Sequence, residues 1–128
     1  MITSELLQFF GAFYGFLAVI FGAFGAHALK KKLTPEQVQS FETGVKYQMY
    51  HAILLVSLGF MPNVQESPPT AMAICFILGT FLFSFSIYGL VLSTMAGRKL
   101  RFLGPITPIG GLLLALGWVL LLFDVLQS

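Results

Sequence analysis

Charged residues are scarce in this chain of 128 residues. Only 9% of the residues are Asp, Glu, Lys or Arg, whereas 57% are hydrophobic. A soluble domain carries roughly a quarter of its residues as charge, so water is excluded as the main solvent of this protein. Cysteine is scarce too. Cys75 is the single cysteine, which excludes an intrachain disulfide.

Four long apolar stretches make up most of the chain. Because a membrane-spanning helix needs about 20 apolar residues, they predict an all-α polytopic membrane protein, a four-transmembrane-helix bundle that forms a single domain over residues 1–128. The first stretch is too long for a signal-peptide core and follows no basic segment, so we interpret it as a retained span. The predicted spans cover about residues 6–29, 45–61, 70–95 and 106–126.

Turn and cap residues separate these spans. Thr34 as N-cap, Pro35 at the first helical position and Gln37 three residues after the cap predict that the second helix begins before its apolar part. The proline-rich loop 61–69 and the pair Gly104-Pro105 predict the two later breaks.

The basic residues predict the orientation of the bundle. All of them lie in the connections after the first and third spans: Lys30, Lys31, Lys32, Lys46, Arg98, Lys99 and Arg101. The positive-inside rule therefore places both termini on the non-cytoplasmic side. This pattern marks topology and is not a basic face, so we expect no nucleic-acid partner. We expect the lipid bilayer as partner, with anionic headgroups near Lys30, Lys31 and Lys32.

Small residues recur along one side of the first span. Gly11, Gly15, Ala18, Gly22 and Gly25 are three or four residues apart and share one helix face. In a membrane, such a stripe favours close packing against a neighbouring helix over a permeation path.

Polar side chains gather at the cytoplasmic ends of the predicted spans, where burial is costly unless they are paired. They are His27, Tyr47, Gln48, Tyr50, His51, Ser84, Ser86, Tyr88 and Thr107. His27 and His51 lie at similar depth, so a metal or haem site is one interpretation. Hydrogen bonding to neighbouring polar groups is the ordinary fate of such histidines, and no defined ligand set supports a metal, whose identity stays unknown.

Four ordered motifs resemble a family of small membrane proteins called domain of unknown function 423. They are GAFGAHAL at 22–29, FETGVKYQMYHA at 41–52, GTFLFSFSIY at 79–88 and GPITPIGG at 104–111 followed by Gly117-Trp118. The resemblance implies a multi-pass protein of the bacterial cytoplasmic membrane with four helices, similar to transmembrane protein 256, and it implies no reaction. Phe85 departs from the family pattern, which has a small residue there, so we expect looser packing at that turn.

The family motifs and the polar cluster together give the candidate ligand-binding residues His27, Glu42, Tyr47, Gln48, His51, Tyr88 and Thr107. We interpret them as a site for binding or transport of a small molecule or ion, which for four spans favours a homo-oligomer. One alternative is a structural or accessory membrane subunit. A second is a bis-histidine haem or quinone-type redox protein. No catalytic constellation is recognisable, so an enzyme is disfavoured and the cofactor is unknown.

Overall fold

Helices make up the fold of the computed structural model, which describes residues 3–62 and 69–127. An all-helical architecture was predicted and is confirmed. The helices are α1 (Ser4–Phe24), which continues as a first π turn (Gly25–Leu29), α2 (Pro35–Gly59), α3 (Thr70–Thr80), a second π turn (Phe81–Phe85), α4 (Ser86–Met95) and α5 (Ile106–Gln127). A short 3₁₀ turn, Arg101–Leu103, precedes α5.

The start of α2 has the predicted cap. The backbone N–H of Gln37 donates to Oγ1 of Thr34 at 3.2 Å, and the backbone N–H of Thr34 donates to Oε1 of Gln37 at 2.9 Å. Pro35 occupies the first turn, where its missing N–H costs nothing. Thr34 therefore fixes the point at which the chain leaves the basic loop and enters α2.

The small residues of α1 pack against α2, as the stripe predicts. A Cβ on Gly11 would lie 2.6 Å from Cγ2 of Val56, and one on Gly25 would lie 2.7 Å from the ring of Phe41. Near the opposite end, Nε2 of Gln8 donates to the carbonyl of Gly59 at 2.9 Å. The two helices thus run antiparallel in contact along their length, because glycine permits backbones to approach closely.

The second half of the chain forms a similar antiparallel pair, in which α5 packs on α3 and the second π turn. A Cβ on Gly79 would lie 3.0 Å from Leu114, and one on Gly117 would lie 2.7 Å from the ring of Phe76. Gly110 lies against the backbone of Phe83. The glycines of the third and fourth predicted spans therefore serve helix packing as well.

Helix α2 joins the two pairs, because it packs on the helices of the second half as well as on α1, and its inward face forms much of the core. Leu55 and Leu58 are buried there with Phe76 of α3 and Leu7 of α1. The charged residues of α2 lie in its first half and are exposed.

Three helical stretches of the described chain are long and apolar enough to cross a membrane: Ser4–Leu29, Thr70–Met95 and Arg101–Gln127. Their outward faces carry exposed apolar side chains, among them Phe16, Leu112 and Leu126. A soluble protein rarely exposes such continuous apolar surface. The molecule is therefore built for a lipid environment.

The loop 61–69 and looser packing at Phe85 were both predicted from the sequence. The predicted loop 61–69 lies mostly at residues 63–68, outside the described residues. At Phe85 the packing is not loose, because its ring contacts those of Tyr14, Phe21, Phe81 and Tyr88 at centroid distances of 5.1–6.4 Å. The helix changes instead, by widening into the second π turn at Phe81–Phe85.

Candidate functional site

Structure places the seven candidate residues in different surroundings. Gln48, His51 and Tyr88 are buried, and Thr107 is half-buried. His27, Glu42 and Tyr47 are exposed. These residues therefore do not line one common pocket. Most of them belong to three hydrogen-bonded groups, and Glu42 lines a separate cavity.

The first group centres on Gln48, which is completely buried between helices. The hydroxyl of Tyr88 donates to Oε1 of Gln48 at 2.7 Å, and Nε2 of Gln48 donates to the carbonyl of Tyr14 at 2.8 Å. The hydroxyl of Tyr14 in turn donates to the carbonyl of Ile77 at 2.8 Å. These three bonds connect α4, α2, α1 and α3 in sequence. Tyr14 was not among the predicted site residues. It lies in an apolar run, and nothing near it in the sequence indicates its bonds to Gln48 and Ile77.

The second group joins α2 to α5 through His51. Nδ1 of His51 lies 2.7 Å from the carbonyl of Tyr47, and Nε1 of Trp118 donates to Nε2 of His51 at 3.1 Å. A carbonyl only accepts, so Nδ1 carries the proton and Nε2 accepts from the indole. Both ring nitrogens are therefore occupied, and ligation of a metal or haem by His51 would require the bond to Trp118 to break.

The third group holds α4 against the start of α5. The hydroxyls of Ser86 and Thr107 lie 2.6 Å apart, and Ser86 also donates to the carbonyl of Phe83 at 2.9 Å. Two residues earlier, Ser84 donates to the carbonyl of Gly44 in α2 at 2.7 Å. The polar residues that the sequence analysis noted at the end of the third span thus connect helices to one another.

Glu42 lines a cavity between the first π turn and α2. The cavity has a volume of about 180 Å³ and almost wholly apolar walls. Its lining consists of Gly22, Gly25, Leu33, Val38, Phe41, Glu42, Val45 and Lys46. Glu42 and Lys46 are exposed and bring one charge of each sign to it. Among these residues, the sequence indicated only Glu42 as a candidate ligand-binding residue, whereas Gly22 and Gly25 were assigned to helix packing and Lys46 to topology.

His27 belongs to the same π turn but does not line the cavity, and its side chain is exposed. π turns inside helices occur frequently at functional sites, because they widen the helix locally. Among the described residues there is no group of three or more His, Cys, Asp or Glu side chains that could hold a metal ion. The cavity can therefore enclose an apolar group of a ligand beside the opposite charges of Glu42 and Lys46.

Sequence comparison gives a consistent picture. The model of the family described as "Protein of unknown function (DUF423)" matches residues 21–111. A UPF0382 membrane protein of Staphylococcus haemolyticus is 36% identical over 123 residues, which is 96% of this chain and 97% of that protein. A UPF0382 membrane protein of Schizosaccharomyces pombe is 38% identical, covering 87% of this chain and 93% of its own.

The UPF0382 inner membrane protein YgdD of Escherichia coli is 35% identical over 126 residues, covering 98% of this chain and 92% of its own. No solved structure matches the chain significantly.

Proposed function

Because the chain belongs to the DUF423 family of proteins of unknown function, we propose that it is a cell-membrane protein that binds a small amphipathic molecule at the cytoplasmic ends of its helices. The observation that carries this proposal is the cavity beside the first π turn, with its apolar walls and the charged side chains of Glu42 and Lys46.

The membrane arrangement that we propose has four spans in one domain, with both termini on the non-cytoplasmic side. Helix α2 completes the four spans and is the second in chain order. It contacts α1 along its length, from Phe41 beside Gly25 to Gly59 beside Gln8. Since α1 is long and apolar enough to cross a membrane, a helix that accompanies it crosses to a comparable depth. The charges of Glu42 and Lys46 then lie near the cytoplasmic boundary with the basic loops.

The size of the cavity limits its ligand. A dry cavity of about 150 Å³ accommodates a benzene molecule, so about 180 Å³ suits a ring or a short alkyl chain. Glu42 and Lys46 would then interact with a polar or zwitterionic end of the same molecule. Binding is better supported than transport, because Gln48, His51 and Tyr88 have protein hydrogen-bond partners inside the bundle.

A pair of glycines provides the test. A Cβ on Gly22 would lie 3.4 Å from Cγ1 of Val45, at the cavity, whereas one on Gly15 would lie 3.7 Å from Cβ of Ala52, away from it. Gly22→Leu therefore fills the cavity, and Gly15→Leu is a matched control on the same helix. Small molecules released from each detergent-purified protein are measured by mass spectrometry. We expect a stoichiometric compound in the wild type and in Gly15→Leu, and none in Gly22→Leu.

A structural or accessory subunit is the second candidate function. The observation that favours it is the hydrogen-bond group around Gln48, which connects four helices without leaving a polar opening. The structural role is supported if the wild type, Gly15→Leu and Gly22→Leu all carry no compound after purification and Gly22→Leu unfolds like the wild type.

A further inference from the structure

A separate groove opens between the beginning of α2 and the end of α4. It has a volume of about 460 Å³ and is more polar than the cavity beside α1. Leu90 and Val91 form an apolar part of its wall. Its charged lining residues are Glu36, Lys99 and Arg101, and Thr34, Gln37 and Thr94 add hydrogen-bonding groups. The groove therefore combines an apolar surface with charged and hydrogen-bonding side chains, and none of its residues belongs to the cavity proposed above.

The basic side chains of the groove stand on a loop that is held in place. The backbone N–H of Leu100 donates to Oγ of Ser93 at 3.1 Å, and that of Arg98 donates to the carbonyl of Ser93 at 2.8 Å. Arg101 then begins the 3₁₀ turn, closed by the N–H of Gly104 donating to its carbonyl at 3.1 Å. A loop with fixed backbone loses less entropy when its side chains bind a ligand.

The same loop alternates cations with apolar side chains. Leu100 is 43% exposed and Phe102 is 65% exposed, next to Lys99 and Arg101. The apolar stretch Arg101–Gln127 begins at this point. Exposed apolar side chains at the end of such a stretch suit the acyl boundary, while neighbouring cations reach the headgroup layer. The groove therefore opens at the depth where lipid phosphates lie.

Charge in the groove is positive on balance, with Lys99 and Arg101 against Glu36. Lysine and arginine side chains are the usual partners of phosphate, to which they give charge-assisted hydrogen bonds. We propose that this groove binds the phosphate group of an anionic molecule, with Lys99 and Arg101 as its cationic ligands. The phosphate belongs to a lipid headgroup or to a soluble phosphate ester, and Leu90 and Val91 suit the apolar portion of a lipid.

The experiment uses the full chain in detergent and native mass spectrometry. Phosphatidylglycerol is titrated against phosphatidylcholine with the same acyl chains, and glycerol phosphate is added as a soluble competitor. The test variant is Lys99→Gln/Arg101→Gln. Its control, Arg98→Gln, removes an exposed cation of the same loop that lies outside the groove, and the single variants Lys99→Gln and Arg101→Gln match it in charge. Thermal unfolding of each variant confirms that the fold is retained.

We expect the test variant to bind phosphatidylglycerol roughly tenfold more weakly and the control to stay within about twofold of the wild type, because only the groove cations give the bound phosphate charge-assisted hydrogen bonds. Glu36→Gln should strengthen binding, since it removes the opposing charge. Glycerol phosphate that binds the wild type as tightly as phosphatidylglycerol would make the soluble ester the source of the phosphate, and much weaker binding would assign the phosphate to the lipid. Equal loss in test and control variants, or equal retention of the two lipids, would overturn the proposal.

Discussion

The indole of Trp118 donates to Nε2 of His51 at 3.1 Å, and this bond joins the last helix of the chain to its second one. Phe76 packs against both rings, at centroid distances of 5.8 Å from His51 and 5.6 Å from Trp118. Because Nδ1 donates to the carbonyl of Tyr47, the accepting role of Nε2 is fixed. His51 is thus a connector between helices, held as the neutral Nδ1–H tautomer by its two partners.

Trp118 and His51 should be energetically coupled. Trp118→Phe, His51→Phe and the double variant form a double-mutant cycle, measured by reversible unfolding in mixed detergent micelles. We expect a coupling energy of about 0.5–1.5 kcal/mol, typical of side-chain hydrogen bonds in membrane proteins. Purely additive effects of the two substitutions would show that the bond contributes nothing to stability.

Tyr88→Phe should destabilise the bundle through Gln48. The substitution keeps the ring that packs on Phe41 and Phe21 but leaves Oε1 of the buried Gln48 without its donor. We expect a loss of about 1–3 kcal/mol in the free energy of unfolding. Tyr50→Phe is the matched control, because the Tyr50 side chain is exposed, and its effect should stay within about 0.5 kcal/mol. Equal effects at the two tyrosines would contradict the assigned role of Gln48.

Neighbouring glycines in α5 should respond very differently to alanine. A Cβ on Gly110 would collide with the backbone of Phe83, whereas one on Gly111 would lie 3.5 Å from Cδ1 of its ring, an ordinary contact. We expect Gly110→Ala to lower the free energy of unfolding by about 1–3 kcal/mol or more, because backbone cannot move aside as a side chain does. Gly111→Ala should unfold like the wild type, and a reversed order would disprove the packing of α5 on the second π turn.

The orientation of the chain can be tested with single cysteines in a Cys75→Ala background. Lys31 and Gln127 are both exposed, at opposite ends of the bundle according to the proposed topology. A membrane-impermeant maleimide should label Gln127→Cys in intact cells and Lys31→Cys only after permeabilisation, as the positive-inside rule requires. Labelling of Lys31→Cys in intact cells would place the basic loops outside.

Local features of this fold could be predicted well from the sequence. Thr34 and Gln37 gave the start of α2, because a capping box depends only on residues three apart. The glycine stripe of α1 gave a packing face, because its spacing matches the helical repeat. These inferences involve neighbouring residues along one helix, so a single sequence contains the necessary information.

Relations between distant residues were not predictable in the same way. The sequence grouped Tyr47, Gln48, Tyr50 and His51 as one polar cluster, but α2 turns Gln48 and His51 inward and leaves Tyr47 and Tyr50 exposed. Apart from the Tyr47 carbonyl within α2, the partners of the buried pair lie on other helices. No pattern within α2 specifies them, because they depend on how α2 packs against α1, α4 and α5.

The second π turn also fixes how much length variation the third helical stretch can accept. In and after this turn, Ser84 and Tyr88 contact α2 whereas Ser86 contacts α5, so all three are buried although they alternate along the chain. Each residue of an α-helix advances the side chains by about 100°. A π turn closes from residue i to residue i+5 and so holds one residue more than an α turn, which lets this turn lose a residue by becoming an α turn. Deleting Ile87 from the regular helix that follows would instead rotate Tyr88 away from Gln48. A deletion after Ser86 is therefore excluded by angular phase, although membrane thickness alone would permit it.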